Sequence, residues 1–161
     1  HERKEISMPT IEMARVDNRL IHGQISVRWC SKLEINTIIV VNDAVAQNKI
    51  QQGLLDMAVP DEYHTRYYTL QQAIDKLPNL SSDKKMLLIF ENIQDLRSVV
   101  AAGVKIPYIN IGNLDMSPGK RHIAASTSLS QEEMDWLDSQ AQAGTKVEVR
   151  RIPSEEATYV F

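Results

Sequence analysis

Thr37-Ile38-Ile39-Val40-Val41 and Met86-Leu87-Leu88-Ile89-Phe90 are the runs on which the fold reading turns. Both are far shorter than the roughly 20 residues a membrane helix needs, so each reads as a buried strand. Outward from them, short β-branched runs alternate with longer stretches of helical period, the pattern of an α/β domain with a mainly parallel sheet. Strands are expected near residues 10–16, 37–42, 65–69, 85–90, 107–111, 121–127 and 146–151. That predicts an open, twisted sheet of about seven strands with helices on both faces.

The intervening helices follow from stripes and stop signals. Over Gly23–Leu33, Ile25, Trp29 and Leu33 share a stripe with Ser26 and Cys30 beside it. A second helix over Val45–Ala58 aligns Ile50, Leu54, Met57 and Ala58 before Pro60, with Gly53 as its weak spot. Short helices are expected over Gln71–Leu77, ending before Pro78, and over Ile93–Ala102, closing at Gly103. Residues 79–85 read as a polar connection. The last helix opens with a capping box, Ser130 with Glu133, carries Met134, Leu137 and Ala141, and ends at Gly144. Beyond Pro153 the run Ser154–Thr158 reads as a loosely held tail.

Composition narrows the function classes. At 161 residues the chain suits one domain with its own core, expected over 8–161, and an apolar fraction of 43% gives no hint of disorder. Residues 1–7 are polar and precede Met8, which resembles a natural start; they read as a cloning remnant, and His1 carries no functional weight. A net charge of -3, with acids and bases interspersed, gives no footprint for nucleic acid. One cysteine cannot form an intrachain disulfide, and no secretory leader is evident, so a cytoplasmic setting is expected.

The chemistry concentrates in the first strand-to-helix loop, where ligands of open α/β sheets bind. It reads Arg15-Val16-Asp17-Asn18-Arg19-Leu20-Ile21-His22-Gly23-Gln24. An unprotonated imidazole is nucleophilic near neutral pH, so His22 could accept a phosphoryl group and surrender it again. The helix opening at Gly23 offers N–H groups and a partial positive charge to a dianion, and a glycine there admits close approach. Arg15 and Arg19 present planar forks matched to phosphate oxygens. Asp17 either orients one arginine or fixes the imidazole tautomer. The plain alternative is a solvated histidine beside surface ion pairs, and residue types alone leave it open.

Other residues carry less. His64 and His122 lack Cys, Asp or Glu at metal-ligand spacing and read as surface histidines, so no metal and no cofactor is expected. Cys30, within the first helix, lacks an activating setting and reads as core. Gly112 and Gly119 make no dinucleotide fingerprint. Asn42 and Asp43 either border the cleft or begin the next helix.

The ten residues from Arg15 to Gln24 closely resemble the active-site signature of the mannose/fructose/sorbose family of bacterial phosphotransferase system (PTS) IIB subunits. The likeness continues through Val41-Asn42-Asp43, Asn110-Ile111-Gly112, Gly119-Lys120-Arg121 and Val147–Pro153, and the length agrees with a stand-alone subunit. This resemblance implies an open, mostly parallel sheet with helices on both faces. It implies His22 as phosphoacceptor, Arg15, Asp17 and Arg19 as its nearest polar supports, and Gly23 and Gln24 at the phosphoryl group. It further implies a IIA phosphohistidine as donor, a sugar as acceptor, membrane IIC and IID subunits as partners at the inner face of the membrane, and leaves a homo-oligomer open. Candidate sugars include mannose, sorbose, fructose and N-acetylgalactosamine. Where many members read Gly-Met-His, this chain has Asn113-Leu114-Asp115, so no second-histidine role transfers; Asp115 is expected to point away, because its charge would repel a phosphoryl dianion. The competing readings are a regulatory binding module that never turns over and, by fold analogy only, a nucleotide- or flavin-binding protein.

Overall fold

The structure, a computed structural model, describes residues 10–80 and 84–161. The reading of residues 1–7 and of Met8 as the start falls outside that range, as does the middle of the 79–85 connection. In chain order the elements are β1 (Thr10–Val16), α1 (Gly23–Lys32), β2 (Thr37–Val41), α2 (Asp43–Ala46), α3 (Lys49–Asp56), β3 (His64–Tyr68) and α4 (Leu70–Lys76). After a 3-10 turn over Leu77–Asn79 come β4 (Lys85–Phe90), α5 (Ile93–Ala101), β5 (Tyr108–Ile111), β6 (Lys120–Ala124), β7 (Thr127–Ser130), α6 (Gln131–Gln142), β8 (Lys146–Val149) and β9 (Tyr159–Val160). Seven strands form one sheet in the order β3-β2-β4-β1-β5-β8-β9, parallel except for β9 against β8.

Alternation along the central strands sends side chains to two separate cores. Ile39, Val41, Met86, Leu88 and Phe90 pack with Ala73 of α4, Leu96 of α5 and Leu137 of α6 on one face. Ile38, Val40, Leu87 and Ile89 pack with Trp29 and Cys30 of α1 on the other. A sheet covered on both faces needs apolar residues at every position, which is why the runs that opened the analysis are uninterrupted. In β1 the register slips between Ile11 and Met13, so both Ile11 and Ala14 face the first core. The irregularity leaves Met13 on the α1 face. Alternation then carries Arg15 to that same face.

Three expectations are corrected. The second helix is two, because Asn42 caps α2 through Val45 N–H and Asn48 caps α3 through Gln51 N–H, interrupting the turn between them. The α3 stripe faces solvent: Ile50, Leu54 and Met57 are 80%, 64% and 84% exposed. The strand expected over 121–127 is the β6–β7 hairpin, outside the main sheet, and the seventh strand is instead β9 in the tail. That tail is held: Thr158 N–H donates to Val149 O at 2.8 Å and Phe161 N–H to Val147 O at 3.0 Å. No helix among the described residues is long and apolar enough to cross a membrane.

Candidate functional site

Chain connections leave β1 toward α1 on one face and β5 toward the hairpin and α6 on the other, which opens a crevice beyond their carboxyl ends. A cleft of about 210 Å³ lies there, lined among others by Arg15, Arg19, Gly112, Asn113, Thr127 and Arg151. It joins the β1 loop to the β5 loop, the hairpin tip and the start of the tail.

Asp17 is the centre of the β1 loop and is fully buried. Its Oδ1 accepts from Arg19 N–H at 3.0 Å and Arg19 Nε at 2.9 Å, and its Oδ2 from Arg19 Nη2 at 2.9 Å and Arg15 Nη2 at 3.2 Å. Burial alone would raise this carboxyl, but the hydrogen bonds from Arg19 and the charges of Arg15 and Arg19 outweigh it and hold Asp17 below its ordinary value. Of the two roles weighed for Asp17, these contacts are those of orienting an arginine. Its carboxylate has no contact with the His22 ring among the described residues.

The two arginines are unlike each other. Arg15 is 1% exposed, and its Nη1 donates to Asn110 Oδ1 and to Arg150 O, the latter at 3.2 Å. Burial pulls its guanidinium below the ordinary value, with Asp17 offsetting part of the effect. Arg15 therefore braces the floor of the cleft. Arg19 is 34% exposed and grips Asp17 through Nε and Nη2, a fork that leaves Nη1 without a partner among the described residues. The Asp17 hydrogen bonds raise its pKa further.

The polar floor extends across the sheet. Asn110 Nδ2 donates to Tyr108 Oη and to Arg150 O, both at 3.1 Å, and Tyr108 Oη donates to Glu148 Oε1 at 2.5 Å. Glu148 in turn accepts from Arg150 Nε at 2.7 Å. Burial tends to raise Glu148, yet Arg150 and Tyr108 hold it low, while burial and Glu148 raise Tyr108. Every member of this network has its partners, the condition under which buried polar groups are tolerated.

Beyond Arg19 the loop is fixed by apolar anchors. Leu20 takes a left-handed φ of 61°, which costs a branched residue about 1–2 kcal/mol. It is 4% exposed, and burying such a side chain returns about 1.5–3 kcal/mol. Ile21 is equally buried, so the next residue is turned outward. His22 is exposed and is the N-cap of α1, but its side chain caps nothing; its own N–H donates to Ser26 Oγ at 3.0 Å. Gly23, at φ +44°, makes the turn into the helix, and Gln24 is exposed beside it. Whereas α2 to α6 each carry a side-chain cap, α1 has none and no acidic residue in its first turn. Its leading N–H groups and positive dipole end are left for an external anion.

Several groups of this site were given no role in it by the sequence reading, although Gly112 and Arg151 lie in segments that carry the family likeness. Gly112 was excluded from a nucleotide motif, but its role is contact: a Cβ there would lie 2.7 Å from Asp17 Oδ2 and 2.8 Å from Arg15 Cζ. Thr127 Oγ1 donates to Gly112 O at 2.7 Å and ties the hairpin to the cleft. Arg151 lines the rim, paired with Glu155. Asp115, expected to point away, is exposed and is not part of the cleft lining. Its Oδ1 accepts from Asn113 Nδ2 at 3.1 Å, and its charge adds to the rise in Arg19. Asn42 caps α2 and Asp43 Oδ1 accepts from Leu70 N–H, so neither lines the cleft. His122 Nδ1 pairs with Ser128 Oγ at 3.0 Å, and His64 is exposed. Cys30 is fully buried, with its thiol pushed up to about 12, so it stays protonated. No cluster of three or more metal-ligating side chains occurs among the described residues.

Comparison with known proteins identifies the family and the fold. The profile of the family described as PTS system sorbose subfamily IIB component matches residues 11–160. The N-acetylgalactosamine-specific phosphotransferase enzyme IIB component 2 of Escherichia coli K12 is 34% identical over 154 residues, covering 96% of this chain and 98% of the relative. A solved N-acetylgalactosamine IIB component from Streptococcus pyogenes superposes with a TM-score of 0.84 at 32% identity, over 97% of this chain and 96% of the other. The N-acetylgalactosamine-specific IIB component 1 of Escherichia coli gives 0.84 at 30% identity, over 92% and 97%. By sequence profile, full-length likeness and shared fold, this chain belongs to the sorbose subfamily of phosphotransferase-system IIB components.

Proposed function

We propose that this protein carries a phosphoryl group on His22, receiving it from a IIA phosphohistidine and delivering it to a sugar hydroxyl. The observation carrying the reading is an exposed imidazole at the one α-helix start without a side-chain cap among the described residues, three residues after an arginine fixed by a buried carboxylate. An unprotonated His22 ring nitrogen attacks the donor phosphorus in line. The new N–P bond forms as the old one breaks, and the electron pair returns to the donor imidazole. In the second step a sugar hydroxyl oxygen attacks, its proton leaves to solvent, and the pair of the broken N–P bond returns to His22.

There is little bond chemistry for the protein to perform, so catalysis is positioning and charge. Arg19 offers Nη1, and the α1 start offers the N–H groups of Gly23 and Gln24 to phosphoryl oxygens. Arg15 and Asp17 keep Arg19 from rotating away. Arg151 lines the same cleft with its charge paired to Glu155. In this reading IIA docks at the His22 face, and IIC and IID subunits bring the acceptor at the inner face of the membrane. N-acetylgalactosamine is the acceptor to assay first, since the relatives at 34% and 32% identity carry that name.

The test is phosphoryl labelling with phosphoenolpyruvate, the two general phosphotransferase proteins and a matching IIA. An acid-labile, base-stable label is expected on the native chain and none on His22→Ala, which should fold normally because the side chain is exposed. A label that persists in the folded variant overturns the assignment.

A further inference from the structure

The β1 and β5 loops are clasped by a reciprocal pair. Asn18 N–H donates to Asn113 O at 2.8 Å, and Asn113 Nδ2 donates back to Asn18 Oδ1 at 2.9 Å. The same Nδ2 also donates to Asp115 Oδ1 at 3.1 Å. A single amide nitrogen thus holds the Asp115 carboxylate against the residue that precedes Arg19. Asp115 is exposed, and its held oxygen has a neutral donor and not a cation. Asn113 and Arg19 line the same cleft.

Arg19 already serves Asp17 with Nε and Nη2, so the edge left for an incoming dianion is the edge an additional anion competes for. The influence of Asp115 on Arg19 shows in the guanidinium pKa, raised first by the Asp17 hydrogen bonds and also by the Asp115 charge. We propose that Asp115 is a charge-tuning residue of the phosphoryl site: pinned by Asn113 beside Arg19, it opposes the dianion and lowers the equilibrium occupancy of phospho-His22, so the group is passed on more readily. The proposal rests on the phosphocarrier reading and goes beyond it, assigning the transfer potential of the carrier to a residue that touches neither the His22 ring nor the donor.

An exposed carboxylate acts through screened solvent, so the effect is modest and salt-dependent. Removing the charge should raise the equilibrium ratio of phosphorylated to free carrier by about two- to fivefold at low ionic strength. The gain should fade as the Debye length falls from about 30 Å at 0.01 M salt to about 3 Å at 1 M. Asn113→Ala, which frees the carboxylate to swing into water, should give a smaller gain in the same direction.

The experiment equilibrates Asp115→Asn and the native chain with a phosphorylated IIA and measures phospho-His22 at both salt concentrations. Unfolding midpoints first establish that the variant is folded. A salt-sensitive gain supports the proposal; an unchanged or lower ratio, or a gain that persists at high salt, overturns it. Should no phosphoryl group reach His22 in the native chain, the phosphocarrier reading falls and the proposal with it. Equal labelling of both proteins leaves the carrier reading standing and removes only the role of Asp115.

Discussion

Replacing Gly112 by alanine puts one methyl group where the site has no room. An added Cβ would meet Arg15 Nη2 in hard overlap, Asp17 Oδ2 at 2.7 Å and Arg15 Cζ at 2.8 Å. Neither partner can retreat, because Arg15 is 1% exposed and Asp17 not at all. Gly112 has no left-handed φ, so backbone conformation contributes nothing and the penalty is steric. Overpacking a filled interior costs about 1–3 kcal/mol, and parting a buried ion pair about 3–5 kcal/mol. A shift that lengthens the Arg15–Asp17 contact without breaking it should therefore cost about 2–3 kcal/mol. Gly53→Ala is the internal control, since a Cβ there meets nothing within 4 Å in mid-helix. That change should stabilise by about 0.5–1 kcal/mol. Urea unfolding of the two variants should give opposite signs, and Gly112→Ala should also take up phosphoryl slowly because Arg19 loses its fixed partner. A Gly112→Ala protein as stable and as fast as the native chain would refute the account of the site.

The remaining tests address the charges. Asp17 is held below its ordinary carboxyl value, so between the two values the unfolded chain binds the proton that the native chain refuses. Its contribution is complete above about pH 4 and is lost as the pH falls through the depressed native value. Denaturant midpoints measured from mildly to strongly acidic pH should fall more steeply for the native chain than for Asp17→Asn, and parallel curves would sink the claim. Arg19→Lys should fold, since Arg19 is partly exposed, yet transfer at least about tenfold more slowly, near 1.4 kcal/mol of transition-state stabilisation. Rapid-quench transfer from IIA at the native rate would count against the fork.

How far the sequence carried depends on whether a signal was local. β2 and β4 were legible because both faces are covered, and α6 because Ser130 and Glu133 form the capping box read from their spacing. What the α3 stripe faces was not legible, because Ile50, Leu54 and Met57 recur with helical period whether the face meets a core or solvent, and here it meets solvent. The hairpin was missed because its tip, Ala125 and Ser126, has no Gly, Pro or Asn to mark a turn. In the tail, the polar run 154–158 hid the strand that follows it. At the site, the loop Arg15–Gln24 could be read by residue type and helix-start logic. The division of labour between its arginines could not, because Arg15 is committed by Asn110 and Arg150, 95 and 135 positions away.

A buried guanidinium and carboxylate rarely repay their desolvation as stability, so the Arg15–Asp17–Arg19 arrangement is better understood as fixing geometry. The loop then needs a second anchor, or His22 would swing about the end of a rigid stalk. Leu20 supplies it at the cost of a left-handed backbone, and the trade can be measured. Alanine at position 20 would lose the buried side chain and keep the strain; glycine would lose the same burial and relieve the strain. Ordinarily glycine is the less stable of the two by about 0.5–1 kcal/mol. Here Leu20→Gly should be the more stable by about 1 kcal/mol, with both below the native chain by urea unfolding. Both should accept phosphoryl more slowly, because the segment between Arg19 and His22 loses its apolar anchor. If Leu20→Ala proves the more stable variant, the backbone at Leu20 is unstrained and the anchor is apolar burial alone.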